Sequence, residues 1–115
     1  MAVNLLIHQI HHIDDIDTKR QALEHVAGQF LGLSLQELEE VAPTGLFLLL
    51  RNQEGFDLER GLIAYWILQE LYQYEDNIFY AAIYRKNIKE LGAFLLHVAE
   101  MKGIDINDYA VEVQM

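Results

Sequence analysis

The sequence contains no cysteine. That removes disulfides, thiolate zinc sites and cysteine nucleophiles, and it fits a reducing compartment. Proline occurs once and glycine seven times in 115 residues. With so little turn punctuation the elements should be few and long, which favours helices over many short strands. Positive charge is scarce: 8 Lys and Arg stand against 18 Asp and Glu, a formal charge of −10. Such a field repels phosphate backbones and anionic lipid headgroups, so neither nucleic acid nor membrane is an expected partner. No run approaches the ~18 to 20 apolar residues of a membrane span. MAVNLLIHQIHH also lacks the basic start and the long apolar run of a signal peptide. Together these absences lead to the expectation of a cytoplasmic protein.

What is present is apolar. Hydrophobic residues make up 52% of the chain, including 5 Phe, 6 Tyr and 1 Trp, too rich a mixture for disorder. The length suits one hydrophobic core, so residues 1–115 are expected to form a single helical domain.

Apolar positions recur at spacings of three and four. Val3, Leu6, Ile7, Ile10, Ile13 and Ile16 are followed, after DTKRQ, by Leu23, Val26 and Phe30. A break is expected in IDDIDTKR, where Asp17 or Thr18 is suited to start a second helix. In LGLSLQELEEVAP, Gly32 can close the preceding helix, and Ser34 with Glu37 reads as a capping box for a helix over about 35–41. Pro43 and Thr44 open another short helix carrying Leu46 to Leu50, which Asn52 and Gly55 stop. Asp57 then caps a helix to about residue 73 whose LIAYWIL segment is apolar on every side, marking it as central. The last helix, about 77–101, puts Tyr80, Ile83, Tyr84, Ile88, Leu91, Phe94, Leu95 and Val98 on one stripe. Gly103 ends it, and DINDYAVEVQM follows as a tail. The expected fold is all-α, a compact bundle of about five helices.

Chemistry-bearing residues concentrate in HQIHHIDD, residues 8–15, which holds three of the five histidines. On a continuous helix His8, His12 and Asp15 fall at i, i+4 and i+7, a spacing that can converge on zinc or a similar ion. HQIHH also resembles the zinc-protease pattern HExxH, but Gln9 stands where the base glutamate belongs and cannot take the water's proton. The apolar stripe through Leu6, Ile10 and Ile13 points nearly the other way, so the simpler reading is a solvent- or partner-facing surface. The Glu-x-x-His pairs of a di-iron bundle are absent, and the single Ser34 is used as a cap. No cofactor is expected and no catalytic residue is identified. His97 flanks the last stripe and reads as a partly buried residue with one hydrogen bond. Asn87 lies inside that stripe, where a buried amide needs partners, so it either fixes helix register or lines a small pocket.

Tyr65, Trp66, Tyr72, Tyr74, Phe79, Tyr80 and Tyr84 crowd the last two helices, where aromatics serve either the core or an interface. From LGLSLQELEEVAPTGLFLLL through DLERGLIAYWILQELYQYEDNIFYAAIYRKNIKEL, about Leu31 to Val98, the chain resembles a family of small bacterial helical proteins. The C-terminal part of that family is similar to a tetratricopeptide hairpin. The resemblance implies a helix-pair scaffold for protein contacts and assigns no functional residue. Such repeats need roughly three units to form a solenoid, and this chain offers about one, so self-association as a homodimer is expected to supply missing surface. The favoured function is a non-enzymatic interaction or scaffold protein with Trp66, Tyr72, Tyr80, Tyr84 and Asn87 as binding candidates. The alternatives are a small metal-binding protein using His8, His12 and Asp15, and a small-molecule sensor with a pocket near Asn87 and Trp66.

Overall fold

The computed structural model describes residues 2–105, with the side chains of residues 2–5 and 7 outside that description. The expected packing of Val3 and Ile7 and the tail from residue 106 therefore lie outside the described residues. The chain order is α1 (Ala2–His11), α2 (Ile16–Val26) continuing into a π-helical turn (Ala27–Leu31), α3 (Leu35–Glu40), α4 (Pro43–Leu50), β1 (Arg51–Asn52), β2 (Gly55–Phe56), α5 (Leu58–Tyr74) and α6 (Ile78–Met101). The all-α expectation holds, with a compact radius of gyration of 13.4 Å.

The expected break in the first segment is present, two residues earlier than Asp17. Asp15 takes an extended conformation, ψ 118°, and its carboxylate accepts the Thr18 amide at 3.1 Å and the Thr18 hydroxyl. An aspartate capping the first turn satisfies an amide that would otherwise have no partner. The π turn ends at Gly32, whose φ of 67° lies in the left-handed region that a residue without a Cβ adopts most easily. Ser34 and Glu37 form the capping box, and Pro43 occupies the first turn of α4.

One element departs from expectation. RNQEGF forms a two-residue antiparallel hairpin, Arg51 opposite Phe56 and Asn52 opposite Gly55. Asn52 Oδ1 accepts the Glu54 amide at 2.9 Å, and Gly55 takes φ 124°. The side-chain hydrogen bond makes a local turn that a simple helix stop would not need.

Helix α5 is the hub. Leu62, Ile63, Ala64, Ile67 and Leu68 are buried on several sides of it, as LIAYWIL foretold. It runs antiparallel to α6, because Gly61 lies against Leu95 while Tyr65 lies against Gly92. A Cβ at Gly61 would sit 2.6 Å from Leu95 Cδ2 and 2.7 Å from Phe56 Cζ, so the glycine sets how closely the helices and the hairpin approach. Arg60 ties the start of α5 to two helix ends, donating to the carbonyls of Leu31 at 2.6 Å and Leu49 at 3.2 Å. A guanidinium at helix C-termini also complements their dipoles. Helix α6 ends in a Schellman turn: Gly103 N–H reaches the Glu100 carbonyl at 3.1 Å and Ile104 N–H reaches Ala99 at 2.9 Å.

Candidate interaction surface

Lys19 is only 2% exposed, and Glu70 is buried with it. The Lys19 ammonium donates to Glu70 Oε2 at 3.2 Å, the Tyr74 hydroxyl at 2.9 Å and the His11 carbonyl at 3.1 Å. These three partners match its three protons. The other Glu70 oxygen meets His11 Nδ1 at 2.5 Å, and the ammonium lies 4.3 Å from the centre of the Tyr74 ring. Burial pushes the Lys19 pKa down, but the hydrogen bonds it donates to Tyr74 and Glu70 and the Glu70 charge outweigh it and the net shift is upward. Beside this network is a cavity of about 50 Å³, bounded by Ile16, Arg20, Leu71 and Glu75 among others. It has room for waters but not for a metabolite. A fully satisfied network of this kind locks α1 and α2 onto α5.

The histidine-rich segment does not assemble as the spacing suggested. Helix α1 ends at His11, so Asp15 leaves the shared face and caps α2 instead. His8 and His12 remain an edge-on pair with ring centroids 4.7 Å apart, and His11 turns to Glu70. Among the described residues no group of three or more His, Asp or Glu side chains is arranged to hold a metal ion.

Of the five binding candidates, three are interior. Trp66, Tyr84 and Asn87 are buried, whereas Tyr72 is exposed and Tyr80 half-buried. Asn87 Nδ2 donates to the Val41 carbonyl at 3.0 Å, which pins α6 to the α3–α4 connection, while its Oδ1 is buried without a partner. The Tyr84 hydroxyl is also buried with no hydrogen bond. Burial, reinforced by Glu75 and opposed by Arg20, pushes its pKa up to about 12. His97 is exposed rather than partly buried, and it borders a groove with Phe56, Phe94 and Met101.

The exposed aromatic surface lies at the turn between α5 and α6. Glu75 Oε1 accepts the Asn77 amide at 3.0 Å, and Asn77 Oδ1 accepts the amides of Phe79 at 2.9 Å and Tyr80 at 3.3 Å. These bonds fix the first turn of α6, whose leading side chains have no earlier turn to pack on. Ile78 is 87% exposed and Phe79 70%, with Tyr72 and Tyr74 also exposed at the end of α5. Tyr72, Ile78, Ala82 and Arg85 border one groove there, of about 200 Å³. Tyr74 and Ile16 border the cavity on the other side, and Glu75 takes part in both. Ile78 and Phe79 were not singled out as a pair by the sequence reading. The available signal was two large apolar residues directly after an Asn N-cap, outside the Tyr80–Tyr84 stripe.

No known protein family, curated protein or solved structure matches the chain. No helix among the described residues is long and apolar enough to cross a membrane.

Proposed function

We propose that this chain is a non-enzymatic protein-binding module whose contact surface is the α5–α6 turn. The observation that carries the reading is the exposure of Ile78 and Phe79, at 87% and 70%, beside exposed Tyr72 and Tyr74 on a turn held by side-chain caps. Large apolar side chains scattered singly on a surface are ordinary, but a rimmed cluster marks a contact site. Tyrosine and phenylalanine suit that role because they offer wide contact area with few torsions to freeze. Holding them in place beforehand also lowers the ordering cost of binding.

In this reading α5 and α6 act as one tetratricopeptide-like hairpin. It is used at its tip because a concave groove needs about three stacked units. The test is a photo-reactive phenylalanine analogue at position 79, compared with the same group at Leu96, which is 52% exposed elsewhere on α6. A discrete adduct formed in cells from position 79 and not from 96 is expected. Equal labelling from both positions, or none from 79, would remove the turn as a contact surface.

A further inference from the structure

We infer that the occupant of the α5–α6 turn is a basic amphipathic helix of a partner protein, its apolar face on Ile78, Phe79 and Tyr72 and its cations over Glu75 and Asp76 in the turn. The inference rests on the reading of the turn as a contact surface and adds the chemistry of what it contacts.

The argument is charge. Glu75 borders both the Tyr72–Ile78 groove and the Tyr74–Ile16 cavity, so it lies between the two apolar parts of the surface. Asp76 is exposed in the turn itself. On the α2 side, Ile16 is flanked along the chain by exposed Asp14, Asp15 and Asp17. Hydrogen bonds from Thr18 hold the Asp15 carboxyl below its usual range, so it is charged at neutral pH.

The nearby cations do not cancel this field. Lys19 is buried against Glu70, and Arg20 is paired with Glu39. Arg85 lines the groove itself with Glu75 and Asp76, so one cation stands against two carboxylates there and the groove keeps a net negative charge. The surface is therefore apolar beside Tyr72 and Ile78 and net negative at the turn, where Glu75 and Asp76 outnumber Arg85. A helix that lays alternate turns of apolar residues into such a groove, with lysine or arginine on the flanks, matches it in both respects.

A second copy matches less well. In a two-fold interface each patch meets itself, which brings Glu75 and Asp76 toward their own counterparts between chains that each carry −10. A lipid surface is disfavoured by the same carboxylates wherever its headgroups are anionic.

The test uses the full chain and a labelled 14-residue helical peptide with leucine on one face and lysine on the other. Twins with glutamine or glutamate in place of lysine accompany it. In about 150 mM salt the lysine peptide is expected to bind at least about tenfold more tightly than the glutamine twin, and the glutamate twin is expected not to bind. Ile78→Ser with Phe79→Ser should weaken the lysine peptide by about tenfold or more, because exposed apolar contacts are lost without touching the core. Asp76→Asn should weaken it while leaving the glutamine twin unchanged.

Lysine-peptide binding that ignores the serine substitutions is general attraction to an acidic protein and overturns the inference. Serine-sensitive binding of the neutral or acidic twin at equal strength also overturns it, yet leaves the turn as a contact surface. So does a Phe79-dependent dimer in sedimentation, or Phe79-dependent binding to phosphatidylcholine vesicles with no peptide preference.

Discussion

Helix α5 is held on two sides by different physics. Toward α6 and the hairpin the seam is apolar and tight, with Gly61 admitting Leu95 and Phe56 where no Cβ fits. Toward α1 and α2 it is polar and buried, with Lys19, Glu70, His11 and Tyr74 joined by hydrogen bonds. The apolar seam gains from every methylene buried and tolerates modest repacking. The polar seam gains little over an apolar replacement, but its geometry is demanding, and removing one member strands the other. Stability is thus spread over the first seam and concentrated at a few atoms in the second.

Breaking the polar seam should have the largest effect. Glu70→Leu leaves the Lys19 ammonium buried with only neutral acceptors, and a stranded buried charge costs about 3 to 5 kcal/mol. Urea unfolding should show that loss. Adding Lys19→Met should restore most of it, because the double replacement has no charge to strand. A double variant as unstable as the single one would mean that the seam depends on its ions rather than on its shape.

The apolar seam is tested by Gly61 within it, with Gly28 in the π turn outside it as the contrast. Gly61→Ala places a methyl within 2.6 Å of Leu95 and 2.7 Å of Phe56. Overpacking of this kind costs about 1 to 3 kcal/mol, from which roughly 1 kcal/mol of improved helix propensity is subtracted, for a net loss of up to about 2 kcal/mol. Gly28→Ala, where nothing lies within 4 Å of the added atom, should instead stabilise by about 0.5 to 1 kcal/mol. A stabilising Gly61→Ala would show that Phe56 moves aside at little cost.

Both seams respond to alkali. The Lys19 ammonium and the Tyr84 hydroxyl hold their protons more tightly in the folded chain than in the unfolded one. Their contribution is therefore complete below the unfolded values near pH 10 and is lost as pH rises through the folded values, about 12 for Tyr84. Urea midpoints measured from pH 8 to pH 11.5 should fall above about pH 10. Tyr84→Phe should flatten that fall. At pH 7 it should change stability by less than about 1 kcal/mol, in either direction, since the hydroxyl it removes makes no well-formed hydrogen bond, with the Arg20 guanidinium near it.

Where neighbouring residues decide the structure, the sequence was readable. The Ser34–Glu37 capping box, the Asp57 cap, the Gly103 stop and the apolar LIAYWIL core all follow from interactions within a few positions. The Asp15 start was displaced to Asp17 because several residues in IDDIDT can cap, and the choice depends on which one also reaches the Thr18 hydroxyl. The Lys19–Glu70 pair joins residues 51 apart, and no local pattern announces it. One signal was present: Lys19 continues the spacing of Leu23 and Val26, and Glu70 that of Trp66 and Ile67, so charges occupy core positions on two helices. Aromatic crowding pointed to the α5–α6 hairpin. Periodicity put Tyr84 on the buried stripe and Phe79 off it. A face assignment, however, does not say whether another element covers that end of the helix, so it could not separate an exposed Phe79 from a covered one.

That separation gives the smallest expected stability effect. Ile78→Ser and Phe79→Ser remove side chains that are mostly in water, so little burial is lost and no cavity forms. The caps that hold the first turn of α6 come from Glu75 and Asn77, and neither substitution touches them. Each variant should therefore melt like the parent, with a change in unfolding free energy within about 0.5 kcal/mol. Thermal unfolding by circular dichroism measures this directly. A loss well beyond that range would mean that the two side chains are covered within the folded chain in solution. The turn would then be a third structural seam of the domain rather than its open end.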